Sequence, residues 1–390
     1  MQNGPLILTL LLIALVLGWA IARWQQRRES RANLPDAYLT GLDHLIDNRT
    51  EEAIESFIKA LEVNSDTLSA HIALAKLLRR KGDVERAVRI HEMLLAREDL
   101  AEEDRQRVNL ALARDYYALG LLDRSESSLQ TLLQHTRVPE LRARATRLLV
   151  RLYEQEGEWQ QALQAADQLT PTQRHELRVE LSHYLCERAE ALIEQSDTDA
   201  ARQLLEQALH EDPQCVRANL MLARILQQQA QWRASIHALQ QVAQQDPQFI
   251  PETLRGLRRA FEACDDEAGL RHYLQELQQK YPATSTMLAL AEHKRDREGV
   301  LAAGLYITEA LKVRPSVKGF NRLIDMHLEY GSSSARESLM SLRSLTQQLE
   351  LSKPVYRCGH CGFAGRKLVW QCPSCRRWGS IRPIFGLEGE

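Results

Sequence analysis

ARQLLEQALHEDP (Ala201–Pro213) and SIHALQQVAQQDP (Ser235–Pro247) begin 34 residues apart and share one pattern. A small residue opens each stretch, a large apolar residue follows four positions later, and a small or apolar residue three after that. The members are Ala201, Leu205 and Ala208, then Ser235, Leu239 and Val242. Spacings of four and seven place all three on one face of a helix. Proline closes both stretches, because it lacks an N–H donor and restricts the residue before it. Working outward, the pattern recurs at Ala53, Phe57 and Ala60, and at Ala87, His91 and Leu94. It recurs again at Ser125, Leu129 and Leu132, at Ala162, Ala166 and Leu169, and at Ala303, Ile307 and Ala310 before Pro315.

A 34-residue helix–turn–helix period with small residues at helix crossings and a closing proline resembles the tetratricopeptide repeat family. The resemblance implies an all-α superhelical solenoid of about eight to nine helix pairs over residues 34–351, with a concave groove. Gly41, Gly82, Gly120 and Gly157 fall at close-contact or turn positions of that family. The third unit is offset by 38 residues, the stretch from Leu254 to Tyr281 fits poorly, and the last unit keeps only a two-helix pattern.

Periodicity stops at Pro354, and residues 352–390 have a different character. YRCGHCGFAGRKLVWQCPSCRRW (Tyr356–Trp378) contains Cys358, Cys361, Cys372 and Cys375, two CxxC pairs with ten residues between them. Such pairs can surround one metal ion with four thiolates, with zinc–sulfur bonds of about 2.3 Å. A redox dithiol is the competing reading. Sulfur-only tetrahedral coordination suits iron and zinc alike. β-type stretches are expected at Val355–Tyr356, Leu368–Trp370 and Ile381–Phe385, forming a ribbon too small to fold without its metal.

Pro5 to Ala22 is an uncharged apolar run of 18 residues, about 27 Å long as a helix and near the thickness of a bilayer core. No Lys or Arg precedes it, while Arg23, Arg27, Arg28 and Arg31 follow, the reverse of a cleaved signal peptide. We therefore expect a transmembrane anchor at 1–22 and a basic juxtamembrane linker at 23–33. The N-terminus then faces outward and the bulk of the chain lies in the cytoplasm. Only Cys186, Cys215 and Cys264 lie outside the quartet, which suits a reducing compartment rather than a disulfide framework.

A net charge of −2 over 390 residues gives no support to bulk nucleic-acid binding. Local charge is more informative. In this repeat family the first helix of each unit lines the groove, and that register yields a basic strip of Lys76, Arg79, Arg80, Arg107, Arg114, Arg144, Arg147, Arg151, Arg217 and Arg224. A partner bearing acids or phosphates would be drawn to it. A solvated face paired with local acids is the competing reading. The ribbon is also basic, with Arg366 and Arg376 among seven cations, and Trp370 and Trp378 add aromatic surface. These residues suit docking onto an acidic protein surface, including the solenoid's own end, better than RNA binding. No phosphate loop, dinucleotide fingerprint or HExxH helix is present, so no catalytic residues are assigned.

Anchor, repeats and quartet in this order make the chain similar, over its whole length, to the lipopolysaccharide assembly protein B family of Gram-negative bacteria. The resemblance implies a non-enzymatic inner-membrane adaptor. It would bring the lipid A pathway deacetylase to a membrane-anchored AAA+ protease of the FtsH type, limiting lipopolysaccharide synthesis. It also implies contacts with other lipopolysaccharide-synthesis proteins, leaves room for a homodimer, and calls for no nucleic acid. Its C-terminal piece is rubredoxin-like, with one iron or zinc ion on the four cysteines. Rubredoxin proper has a longer segment between its knuckles, and Arg376 stands where its second knuckle has glycine. Both departures favour a structural site over electron transfer, which with RNA binding is the alternative function.

Overall fold

The computed structural model describes residues 36–47, 49–63, 68–98, 100–330, 333–387 and 389. The expected anchor at 1–22 and linker at 23–33 lie outside them. Among the described residues no helix is long and apolar enough to cross a membrane. The chain divides into two compact units, residues 1–156 and 157–390.

The first unit contains α1 (Asp36–Ile46), α2 (Thr50–Val63), α3 (Leu68–Lys81), α4 (Val84–Leu95), α5 (Glu102–Ala118), α6 (Leu122–His135) and α7 (Pro139–Glu156). Consecutive helices pack in pairs around Ala53, Phe57, Leu74, Leu78 and Ala87. Gly41 is needed there, because a Cβ would stand 3.0 Å from the Phe57 ring. Turns follow one recipe. Gly82 and Gly120 adopt φ of 94° and 76°, and the next residue's N–H reaches back to Leu78 or Tyr116, closing the preceding helix.

The second unit contains α8 (Trp159–Ala166), α9 (Pro171–His175), α10 (Arg178–Glu194), α11 (Thr198–Glu211), α12 (Val216–Gln228) and α13 (Trp232–Gln245). A 3-10 turn (Pro247–Phe249) leads to α14 (Ile250–Glu262), α15 (Glu267–Lys280), α16 (Thr284–Glu298), α17 (Val300–Val313), α18 (Val317–Tyr330) and α19 (Ser333–Ser352). The poorly fitting stretch does form a helix pair, α14 and α15, but the two pack less closely on each other than α14 packs on α13. Pro251 sits in the first turn of α14, where a missing N–H is no loss. Helices end at Glu211, Gln245 and Val313, two residues before Pro213, Pro247 and Pro315.

The repeat register predicts the core. Every pattern residue with a described side chain is buried except Ala310, which is half-buried. Where the small position is serine, the hydroxyl bonds across the hairpin: Ser125 donates to the Ala113 carbonyl at 2.8 Å and Ser235 to that of Ala223 at 3.0 Å. Those bonds satisfy a buried polar group that would otherwise be costly.

After α19 come β1 (Tyr356–Cys358), β2 (Ala364–Gly365) and β3 (Ile381–Pro383), an antiparallel sheet in the order β2–β1–β3. The strand expected at Leu368–Trp370 does not form. Those side chains instead turn onto the helices, where Leu368 and Trp370 pack with Val216, Val242 and Phe249.

Candidate metal centre and docked ribbon

The ribbon brings the four predicted cysteines together, with all four sulfurs within 4.8 Å of one another. Cys358 and Cys375 are 3.7 Å apart, and Cys361 and Cys372 are 3.6 Å apart. Sulfurs bonded to one central ion at about 2.3 Å would lie about 3.8 Å apart, so the pocket fits a thiolate-bound metal. Local backbone supports it. The Gly362 N–H bonds the Cys358 carbonyl and the Arg376 N–H bonds that of Cys372, forming two matching knuckles. Gly362 and Arg376 take left-handed φ of 79° and 57°. Arginine therefore keeps the knuckle geometry that glycine would provide without strain.

Hydrogen bonds to sulfur prepare the charged form. Cys358 Sγ and Ser380 Oγ share a hydrogen bond at 3.3 Å in which the thiol donates, the Ser380 hydroxyl itself donating to the Arg377 carbonyl at 3.0 Å, and the His360 N–H donates to Cys358 Sγ at 3.4 Å. Chiefly through Ser380, and against burial, they hold the Cys358 thiol down at about 5. The Phe363 backbone N–H is the main influence lowering Cys361. At Cys375 the Arg377 N–H pulls the same way, but burial and the three other sulfurs outweigh it and raise the thiol to about 11. Four crowded thiols therefore resist full ionisation until a cation offsets their charge. Bound metal would serve here as a cross-link between the knuckles.

The ribbon lies against α10, α12 and α14 of its own unit rather than at the solenoid's end. Trp378 is buried, stacked on His183 at 5.0 Å and edge-on to Tyr184 and Trp159 at 6.1 and 6.0 Å. Trp370 stacks on Phe249 at 5.6 Å. Polar contacts fix the register: the Tyr356 hydroxyl donates to Glu252 at 2.6 Å, and Arg382 pairs with Asp246 at 3.1 Å. Burial, reinforced by the positive charge of Arg217, pushes the His183 imidazole down to about 3, so the ring meets Trp378 neutral.

Placement alters the expected partner surface. Trp378 points inward, because its apolar ring finds a better environment against the helices than in water. Arg217 is likewise buried, held by Glu187 at 2.7 Å and Glu190 at 2.5 Å, so it forms an internal ion pair rather than part of an open strip. In the first unit Arg79 bonds the buried Asp115, which also meets His91 at 2.5 Å, and Arg144 pairs with Glu140. Arg114 is pushed below its ordinary value by burial and by the nearby positive charges of Arg79, Arg144 and Arg151. These four arginines thus share one electrostatic neighbourhood. Arg147 is half-buried, while Lys76, Arg151, Arg224, Arg366 and Arg376 are exposed. The dock itself, formed by Trp159, His183, Tyr184, Phe249, Asp246 and Glu252, was not anticipated from the sequence.

Tetratricopeptide repeat families match residues 70–106, 110–174 and 192–257, and a rubredoxin metal binding domain matches 356–383. The chain is 34% identical over 388 residues to lipopolysaccharide assembly protein B of Escherichia coli strain K12, spanning 98% of this chain and 99% of that protein. It is 29% identical over 395 residues to the protein of that name from Haemophilus influenzae, spanning 98% and 99%.

Proposed function

The chain belongs to the lipopolysaccharide assembly protein B family, and we propose that it is a non-enzymatic adaptor controlling lipopolysaccharide synthesis at the bacterial inner membrane. In this reading a single N-terminal span holds it to the bilayer with its bulk in the cytoplasm. It presents the lipid A pathway deacetylase to a membrane-anchored AAA+ protease and gathers other lipopolysaccharide-synthesis proteins.

One observation carries the reading: the four-cysteine ribbon is clamped onto the repeat array by two tryptophans. A redox centre gains little from such a clamp, whereas an adaptor needs two differently surfaced elements held in fixed register. Tethering both partners to one membrane would make the second contact nearly intramolecular, so modest affinities suffice. The metal holds the ribbon in shape, and Arg366 and Arg376 give it an exposed basic face.

Cys358→Ser with Cys361→Ser tests this directly. The double variant is expected to lose metal, unfold the ribbon and lengthen the cellular half-life of the deacetylase. Normal turnover of that enzyme by metal-free protein would sink the ribbon's role in recruitment. Absorbance of the purified protein identifies the ion, since ferric thiolate absorbs visible light and zinc does not.

A further inference from the structure

Beside the metal centre, the docked ribbon closes one wall of a groove of 760 Å³ whose other walls are α12 and α14. Leu368 and Trp370 form the ribbon wall, and Leu220 faces the same space from α12. Arg224 follows Leu220 by one helical turn, and Arg255 and Arg259 are likewise one turn apart on α14. All three arginines are exposed, and none is ion-paired to a described residue.

The acids in the same groove are already engaged. Glu190 holds the buried Arg217, and Glu252 accepts the Tyr356 hydroxyl. The groove is therefore positive along its helical side and apolar along its ribbon side. Arginines one turn apart are separated by about 6 Å along the helix. Alternate side chains of an extended peptide repeat at about 6.6 Å on one face. Guanidinium forks match carboxylates in two-point hydrogen bonding.

We propose that this groove seats an extended acidic segment of a client protein, an inference that rests on the adaptor reading. Its carboxylates face Arg224, Arg255 and Arg259, and its intervening apolar side chains face Leu368 and Trp370. The site exists only while the ribbon is folded and docked, which makes client capture depend on the metal without the metal touching the client.

The test uses the full chain in detergent and a fluorescein-labelled octapeptide of alternating Glu and Leu, read by anisotropy. The parent is expected to bind this peptide and not its Lys–Leu counterpart, with affinity falling as salt rises. Arg224→Glu with Arg259→Glu is expected to weaken binding at least about tenfold at unchanged metal content. Arg255→Glu alone replaces that pair if the pair lowers helicity. Undiminished binding by the charge-reversed protein, or equal binding of the Lys–Leu peptide, overturns the assignment. Displacement of the peptide by a lower concentration of oligothymidine overturns it too, giving the groove to phosphates. In cells, an unchanged deacetylase half-life on loss of the whole chain refutes the adaptor reading. Normal turnover with the charge-reversed protein, when loss of the chain stops it, refutes the groove alone.

Discussion

Replacing Trp378 with alanine removes the ring enclosed by His183, Tyr184 and Trp159. Truncating a buried tryptophan costs about 3–5 kcal/mol, within which each favourable ring pair contributes roughly 0.5–1.5 kcal/mol. None of that loss falls on the metal, because all four ligands belong to the ribbon. It falls on docking, whose equilibrium should shift by about two to three and a half orders of magnitude. What remains includes Trp370 on Phe249 and beside His183, Leu368, the Val317 N–H to Leu387 carbonyl bond, the Tyr356–Glu252 bond and the Arg382–Asp246 pair. Exposed ion pairs of that last kind are worth less than about 1 kcal/mol. Fluorine NMR of fluorotryptophan-labelled protein reads the result. The Trp370 resonance should move to a solvent-exposed position while metal content stays at the parent level. An unmoved resonance refutes the weight placed on Trp378, and loss of metal refutes the separation of ribbon folding from docking.

Acid should loosen the same interface. His183 is held at about 3, against an ordinary value of 6.5, so between these limits the released ring binds more protons than the docked one. Docking is then at full strength above about pH 6.5 and weakens by roughly 2 kcal/mol on descent to pH 5, a dependence His183→Phe should abolish in the same NMR measurement. Arg376→Gly relieves a left-handed residue worth about 1 kcal/mol and should raise resistance to metal chelators roughly fivefold; unchanged release rates count against strain at that knuckle. Asp115→Ala leaves Arg79 and His91 without their buried carboxylate and should destabilise the first unit by about 3–5 kcal/mol, seen in thermal melts, whereas a melt within 1 °C or so of the parent refutes the network's role.

Much of the fold could be read along the chain because repeat packing is local. A helix that must bury one face every turn writes that need at spacings of four and seven, and Ala201, Leu205 and Ala208 are buried as their pattern requires. Metal ligation is equally legible, since two turns of fixed length must converge on one ion. Docking is not written this way. Tyr356 meets Glu252 across 104 positions, and no period relates Trp378 to His183. Seen in isolation, a tryptophan directly after two arginines reads as exposed surface, and Arg217 reads as another member of a strip. Only the folded chain brings Glu187 and Glu190 to that arginine. Turn chemistry was partly hidden as well. Gly82 and Gly120 mark left-handed closures openly, while Ser196, Ala230 and Asp265 adopt the same conformation without the residue that usually announces it.

The central claim is that the metal-stapled ribbon acts by being docked on the repeats, not merely by being present. Cells carrying Trp370→Ala with Trp378→Ala separate the two, because this protein should keep its metal yet release the ribbon. The measurement is the half-life of the lipid A pathway deacetylase after synthesis is stopped. The account predicts a half-life as long as in cells lacking the chain altogether. Parent-like turnover, with the ribbon shown to be metal-loaded and undocked, would contradict it.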